Sequence, residues 1–155
     1  MVDRFMQRAI ELSMENVRSS AGGPFAAVIV RAGTIVAEAA NQVISTLDPT
    51  AHAEIVAIRA ACTSLGNFQL TGCELYSTCE PCPMCMAAIY WARLDRIYYA
   101  NTRSDAAQIG FDDSLIYDQL ALDPPSRKIE MIQTMREQAL PAFREWEKSQ
   151  TKIRY

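Results

Sequence analysis

Apolar residues recur at three- and four-residue steps through residues 3–18, at Met6, Ile10, Met14 and Val17, which predicts an amphipathic helix. Gly22-Gly23-Pro24 ends it. Phe25-Ala26-Ala27-Val28-Ile29-Val30 is a continuous apolar run of strand length. With Gly33 in a tight turn and Ile35-Val36-Ala37 behind it, the two segments predict a hairpin. Asp48-Pro49-Thr50 is a helix-start signal, and Ile55, Ile58, Cys62 and Leu65 form a helical stripe through residues 51–65. Residues 74–78 and 96–100 read as further strands. Between them, residues 83–92 are apolar nearly all round (Met84, Met86, Ile89, Tyr90, Trp91), which predicts a buried helix. Beyond residue 100 the pattern weakens to a short helix over 112–120 and a stiff connector at Asp123-Pro124-Pro125-Ser126. An edge strand over 129–134 and a last helix over 141–148 complete it. Strands alternating with helices after an opening hairpin predict a single α/β layered domain, residues 1–155, with a mostly parallel sheet.

Composition narrows the function classes. The chain has 155 residues, 50% hydrophobic and 21% charged, enough apolar material for a core without disulfide staples. Lys plus Arg is 15 against 18 for Asp plus Glu, a net charge of −3, and the densest basic cluster is the pair Arg127-Lys128. Nucleic-acid binders concentrate positive charge on one face, so a small-molecule partner is expected and a nucleic acid is not. The longest strongly apolar run, Phe25 to Val30, is far too short to span a bilayer, and the charged start carries no signal-peptide core. The expectation is a soluble, cytoplasmic protein with no membrane partner. In a reducing compartment its 5 Cys point to thiol or metal chemistry rather than disulfides.

The single histidine lies in Pro49-Thr50-Ala51-His52-Ala53-Glu54, and Cys79-Glu80-Pro81-Cys82-Pro83-Met84-Cys85 follows. Together they read H-x-E … P-C-x-x-C, a signature of zinc-dependent deaminases. The spacing has its own physical sense. Zinc takes imidazole nitrogen and thiolates in a tetrahedron, and a catalytic site keeps three protein ligands with the fourth position open to water. Cys82 and Cys85 are three apart, so on a helix they share a face. Both predicted helices begin at the ligands, where the partial positive charge of a helix N-terminus favours thiolate. Glu54, two residues from His52, is placed to shuttle protons from water to a ring nitrogen and then to a leaving amine. Other readings cover less. His52 alone could be a cap or core residue. A capping box opened by Thr50 would want its partner at position 53, which is Ala. Cys79, Cys82 and Cys85 resemble an iron–sulfur run, whose fourth Cys would fall at position 89, which is Ile; Cys62 or Cys73 could fill in. A redox C-x-x-C leaves His52 and Glu54 unexplained. Otherwise Cys62, on the apolar stripe, is expected in the core, and Cys73 and Cys79 are expected to be structural.

The blocks Gly22 to Phe25, Asp48 to Glu54, Cys79 to Cys85, Ala88 to Arg93, Gly110 to Ser114 and the terminal Tyr155 span nearly the whole chain. Together they resemble the cytidine deaminase superfamily and, within it, the small bacterial type of guanine deaminase. That resemblance implies a three-layer α/β/α cytidine deaminase-like fold, with a mixed five-stranded sheet flanked by helices. It implies one Zn²⁺ per chain on His52, Cys82 and Cys85, with Glu54 as proton shuttle. It implies that Asn41 and the Ala53 backbone hydrogen-bond the base and that Phe25 and Trp91 wall a flat ring. Asp113 would be a second carboxylate at the exocyclic amine, and Tyr155 would close the pocket. The segment after about residue 125 would cross to the other subunit of a domain-swapped homodimer, with Pro124-Pro125 as hinge. The implied reaction is hydrolytic deamination of guanine to xanthine and ammonia. Guanosine, cytosine or another aminated heterocycle are alternative substrates, and a non-catalytic zinc or iron–sulfur module is an alternative class. Taken singly, Phe25 and Trp91 could be core, Asn41 a turn residue, Asp113 a cap and Tyr155 a frayed end. Asp112 beside Asp113 leaves that carboxylate open by one position. Ala26 departs from the Gly usual after Gly-Gly-Pro-Phe, and its methyl could tighten the pocket.

Overall fold

A computed structural model describes residues 2–154, with side chains from residue 4 onward. The chain divides after Asp113 into two compact units.

The first unit opens with α1 (Val2–Arg18), then a hairpin of β1 (Ala26–Arg31) and β2 (Thr34–Ala40). Its turn residues Ala32 and Gly33 both have positive φ, 48° and 76°, the backbone that matches a turn to the right-handed twist of its strands. A single turn of helix, α2 (Val43–Thr46), leads to α3 (Ala53–Leu65), β3 (Cys73–Cys79), α4 (Pro83–Ala92), β4 (Arg96–Asn101) and α5 (Arg103–Gln108). The strands lie in the order β2-β1-β3-β4. β1 is antiparallel to both neighbours, and β3 and β4 are parallel, as the intervening crossover helix α4 requires. The sheet is therefore mixed and, among the described residues, four-stranded rather than five-stranded. Nor is it mostly parallel, because only one of its three pairings runs through a crossover.

Alternation along the strands makes two buried faces. Ala27, Ile29 and Leu75 pack with Ala53, Ala57 and Ala61 of α3 and Ile89 and Ala92 of α4. Val28, Val30 and Tyr76 are covered by Phe5 and Ala9 of α1. Tyr76 stacks on Tyr98 with ring centroids 4.6 Å apart. The result is helix, sheet, helix: three layers in this unit.

The helices turn different faces to the sheet than their large apolar residues predict. In α1 the buried positions are Phe5, Ala9, Ser13 and Asn16, while Ile10, Met14 and Val17 are exposed. In α3 the buried positions are Ala53, Glu54, Ala57 and Ala61, and Ile55, Ile58, Cys62 and Leu65 sit half-buried on the flanks. A helix that packs closely on a sheet puts small side chains at the contact, so the bulkier stripe is displaced to the margin. α4 is not buried all round: Cys85, Ile89 and Ala92 face inward, but Tyr90 is 76% exposed and Trp91 65%.

The second unit holds α6 (Ser114–Ala121), a single 3₁₀ turn at Pro124–Ser126 and α7 (Arg136–Lys148). Residues 129–134 form no strand; among its described residues the unit contains no other strand to supply a ladder. α7 starts five residues earlier than expected and takes Pro141 inside it. Near the start of a helix the missing N–H costs a single intrahelical bond, to the carbonyl of Glu137. Tyr155 lies outside the described residues.

Candidate metal centre and active site

Two helix starts build the site. The Asp48 carboxylate accepts hydrogen bonds from the Thr50 N–H (2.8 Å) and hydroxyl (2.7 Å), a local turn that aims the chain into α3. His52 is then the N-cap of α3, with extended backbone (φ −63°, ψ 153°). Cys82 is the N-cap of α4 in the same conformation (φ −65°, ψ 168°), with Pro83 behind it as the first helical residue. Neither side chain caps its helix, so both donor atoms remain available. Cys85 lies one turn into α4 and is fully buried.

The His52 Nδ1 is 3.5 Å from the Cys82 Sγ and 3.6 Å from the Cys85 Sγ, and the three donor atoms all lie within 4.8 Å of one another. A tetrahedral zinc with bonds of roughly 2.05 Å to nitrogen and 2.3 Å to sulfur would separate N from S by about 3.6 Å. The nitrogen and sulfur donors therefore stand at zinc-binding distance, and one imidazole with two thiols is a donor set that suits zinc. Cys85 donates to Cys82, which, with His52 beside it, brings the Cys82 thiol down to about 4 against the opposing effect of burial. That same donated bond, then burial and the nearby Glu54, pushes Cys85 well above the usual thiol range. The bond to Cys82 also raises His52. A cation bound here displaces those protons.

Glu54 follows His52 by two residues and is only 7% exposed. Burial raises its carboxyl above the usual range, with its own backbone N–H opposing. A buried carboxyl that holds a proton easily is what a proton shuttle needs. Asp113 is half-buried, and burial raises its carboxyl as well; the Arg103 guanidinium opposes this, and the charge of Cys82 adds to it. Asp113 thus lies within the electrostatic reach of the Cys82 sulfur. Its neighbour Asp112 is exposed.

The remaining expected residues take varied places. Ala53 is fully buried and is the first residue of α3, so its N–H is one of those with no acceptor inside the helix. Asn41 is buried. Its N–H donates to the Phe25 carbonyl (2.9 Å), its carbonyl accepts from the Asn16 amide (3.1 Å) and its Oδ1 accepts from the Val43 N–H (3.2 Å). The Phe25 ring meets Phe111 edge-on, with centroids 4.9 Å apart. Ala26 is fully buried and its N–H donates to the Thr78 hydroxyl at 3.0 Å. Trp91 stands exposed on α4, and Tyr155 lies outside the described residues.

The other cysteines do not join the metal donors. Cys79 is pushed up to about 11 by burial, and its thiol donates to the Thr102 carbonyl. Burial also raises Cys62 and Cys73, and among the described residues only His52, Cys82 and Cys85 gather. An iron–sulfur cluster would lack its fourth ligand.

Three residues near the site escaped sequence reasoning. Phe111 was visible as part of a block but carried no role of its own. Glu80 and Arg103 carry no local signal, because Glu80 acts on the Arg103 backbone 23 positions away and the Arg103 side chain acts on Asp113.

A buried glutamate two residues behind a histidine that shares one small donor set with two cysteines of the next helix, on a hairpin-led mixed sheet, defines a zinc-dependent deaminase. A family model for the cytidine and deoxycytidylate deaminase zinc-binding region matches residues 1–101, and the chain belongs to that family. Within it, the chain is similar to guanine deaminase from Bacillus subtilis, 47% identical over 153 residues that cover 99% of this chain and 98% of the relative. The X-ray structure of that protein matches with a TM-score of 0.96 over the same shares of each chain. A solved structure of guanine deaminase from Nitrosomonas europaea is 33% identical, with a TM-score of 0.67, over 70% of this chain and 63% of that one. The tRNA-specific adenosine deaminase of Agrobacterium fabrum is 45% identical, over 58% of this chain and 61% of the relative.

Proposed function

We propose that the protein deaminates guanine hydrolytically, converting guanine and water to xanthine and ammonia. The observation that carries this reading is the extent of the likeness: similarity to a guanine deaminase continues through 99% of the chain, well past the zinc-binding region at residues 1–101. Similarity to the Agrobacterium tRNA-specific deaminase covers only 58% of it. A net charge of −3 with no basic cluster also suits a free base better than a tRNA.

His52, Cys82 and Cys85 would hold the zinc, which when bound acidifies a water at neutral pH. Glu54 would move the first proton of the attacking water to a ring nitrogen and its second to the amine that leaves as ammonia. Asp113 accepts a hydrogen bond from the exocyclic amine and helps it depart as ammonia. The Ala53 N–H and the Asn41 amide bind the edge of the base, and Phe25, backed by Phe111, forms one wall of the pocket. Trp91 forms another. The Ala26 methyl bears on the fit of the base.

We further read the segment after about residue 125 as the one exchanged in a homodimer, with Tyr155 completing the partner's pocket and Pro124-Pro125 as hinge. Two facts support this. Helix α7 has no buried residue, and the segment exposes Ile129, Ile132, Phe143 and Trp146. Sedimentation at about twice the 17.3 kDa chain mass is the expected result. No helix among the described residues is long and apolar enough to cross a membrane.

The test is an ammonia-release screen of the zinc-loaded protein on guanine, guanosine, adenine, cytosine and cytidine. Guanine is expected to be the preferred substrate. Faster release from guanosine would show a pocket that admits a ribose, and release from cytosine or cytidine alone would overturn the purine assignment.

A further inference from the structure

We propose that Arg103 is a positioning residue for Asp113, and that Glu80 holds Arg103 in place for that task. The inference rests on the deamination reading above, in which Asp113 meets the substrate amine.

The geometry runs in one line. Glu80 belongs to the loop that leaves β3 and delivers Cys82. Its N–H donates to the Asn101 carbonyl at 2.8 Å, and the Asn101 amide donates to the Thr78 carbonyl at 2.9 Å. These bonds stitch the cysteine loop to the end of β4. The Glu80 Oε2 then accepts the backbone N–H of Arg103 at 3.1 Å. Thr102, just before, closes a capping box with Asp105, so the start of α5 is fixed from both sides. From that anchored backbone the Arg103 side chain reaches Asp113, with Nε 3.7 Å from Oδ1. One run of contacts therefore joins the loop that carries the metal donors to the second carboxylate.

Asp113 needs such a partner. It is half-buried, and burial and the neighbouring Asp112 favour its protonated form, while the Arg103 guanidinium favours the carboxylate. With its Nε 3.7 Å from Oδ1, Arg103 also constrains where that carboxylate points. A protonated or displaced Asp113 would lose the acceptor that a substrate amine requires.

The test measures steady-state guanine deamination between about pH 6 and 9 for Arg103→Gln, Arg103→Lys, Glu80→Ala and Glu80→Gln, with zinc content and thermal unfolding recorded for each. For Arg103→Gln we expect one zinc per chain and a native unfolding transition. We also expect kcat/KM to fall by about tenfold or more, with the acid limb of its pH profile moved to higher pH. Arg103→Lys should recover most of the loss. Glu80→Gln, which keeps the acceptor oxygen, should exceed Glu80→Ala. If Arg103→Gln stays within about twofold of wild type at every pH, or Arg103→Lys is as impaired with an unmoved limb, the proposal is overturned. Should Arg103→Gln not fold, the Glu80 pair decides: a loss with a shifted limb in Glu80→Ala alone supports the brace, and equal rates overturn it. Failure of the guanine reading appears elsewhere, as wild-type protein that releases no ammonia from guanine. The variant ratios are then taken on the base it does deaminate.

Discussion

His52 Nδ1 and Cys82 Sγ stand 3.5 Å apart although 30 residues separate them, because each residue is the N-cap of its own helix. Two helix starts meeting at one point bring the donors together from distant parts of the chain. Cys85, one turn further on, completes it from a fully buried position. Cys85→Ser should therefore lower bound zinc from one per chain to a small fraction and abolish ammonia release. A strong chelator should do the same to the wild type, reversibly on adding zinc. Metal analysis of dialysed protein checks both, and retention of full zinc by Cys85→Ser would remove that residue from the ligand set.

Glu54 is buried, and its carboxyl is raised above the usual range. Gln has nearly the same shape but cannot carry the proton. Glu54→Gln is expected to keep its zinc and its unfolding temperature while losing about 10²- to 10⁴-fold in turnover, the usual worth of a positioned acid–base group. Equal turnover with zinc retained would assign proton transfer to another group.

Asp112 and Asp113 differ in burial rather than chemistry. Asp113 is drawn inward beside Arg103 and feels Cys82, while Asp112 is exposed. Asp113→Asn should lose at least about tenfold in turnover with zinc unchanged, and Asp112→Asn should stay within about twofold. Parallel kinetics of the two variants separate them, and the reverse ranking would move the role by one position.

The two cysteines, the histidine and the glutamate were legible because they form one local pattern on each of two segments, and local spacing survives in a sequence. The hairpin was legible for the same reason: its alternation and Gly33 are neighbours along the chain. The inward faces of α1 and α3 were not. Large apolar residues such as Ile10 and Ile58 announce a stripe, but the sheet accepts Ala9, Ala57 and Ala61, and close approach is invisible in hydropathy. The strand order was not legible either, since the antiparallel pairing of β1 with β3 joins segments about fifty residues apart. Arg103 and Glu80 are the extreme case. Each is an ordinary surface-type residue whose meaning lies in a contact distant along the chain, Glu80 with the Arg103 backbone and the Arg103 side chain with Asp113.

Gly22 shows a similar long-range constraint. A β-carbon there would lie 2.5 Å from the Asn41 carbonyl oxygen and 2.9 Å from the Asn16 amide nitrogen. Backbone oxygen cannot retreat as a flexible side chain can. Gly22→Ala should cost about 1–3 kcal/mol of stability and reduce turnover as well, because Asn41 must shift. At Gly23 the new carbon would meet the Phe25 ring at 3.2 Å, a contact the ring can relieve by a small tilt. Urea denaturation of both variants should rank Gly22→Ala as the more damaged.

The Arg8–Glu38 pair predicts an acid-sensitive contribution to stability. It ties α1 to the edge strand β2 through two parallel bonds, Nε to Oε2 at 3.0 Å and Nη2 to Oε1 at 2.6 Å. The hydrogen bond from Arg8 holds the Glu38 carboxyl below its ordinary range in the folded protein. In the unfolded chain the same carboxyl titrates near about 4.3. A carboxyl whose folded pKa is depressed stabilises fully above the unfolded value, and the contribution disappears as pH falls through the folded one. Both side chains are about one-third exposed, so water and salt screen the pair, and its worth at neutral pH is about 1 kcal/mol or less. Glu38→Gln should therefore be less stable than wild type by that amount at pH 7, with a smaller gap at high salt. The two proteins should converge as the pH is lowered well below about 4. Paired urea titrations at neutral and acidic pH measure the gap directly. A gap that persists unchanged in acid would mean that packing of the Glu38 stem, not its charge, holds α1 to the strand.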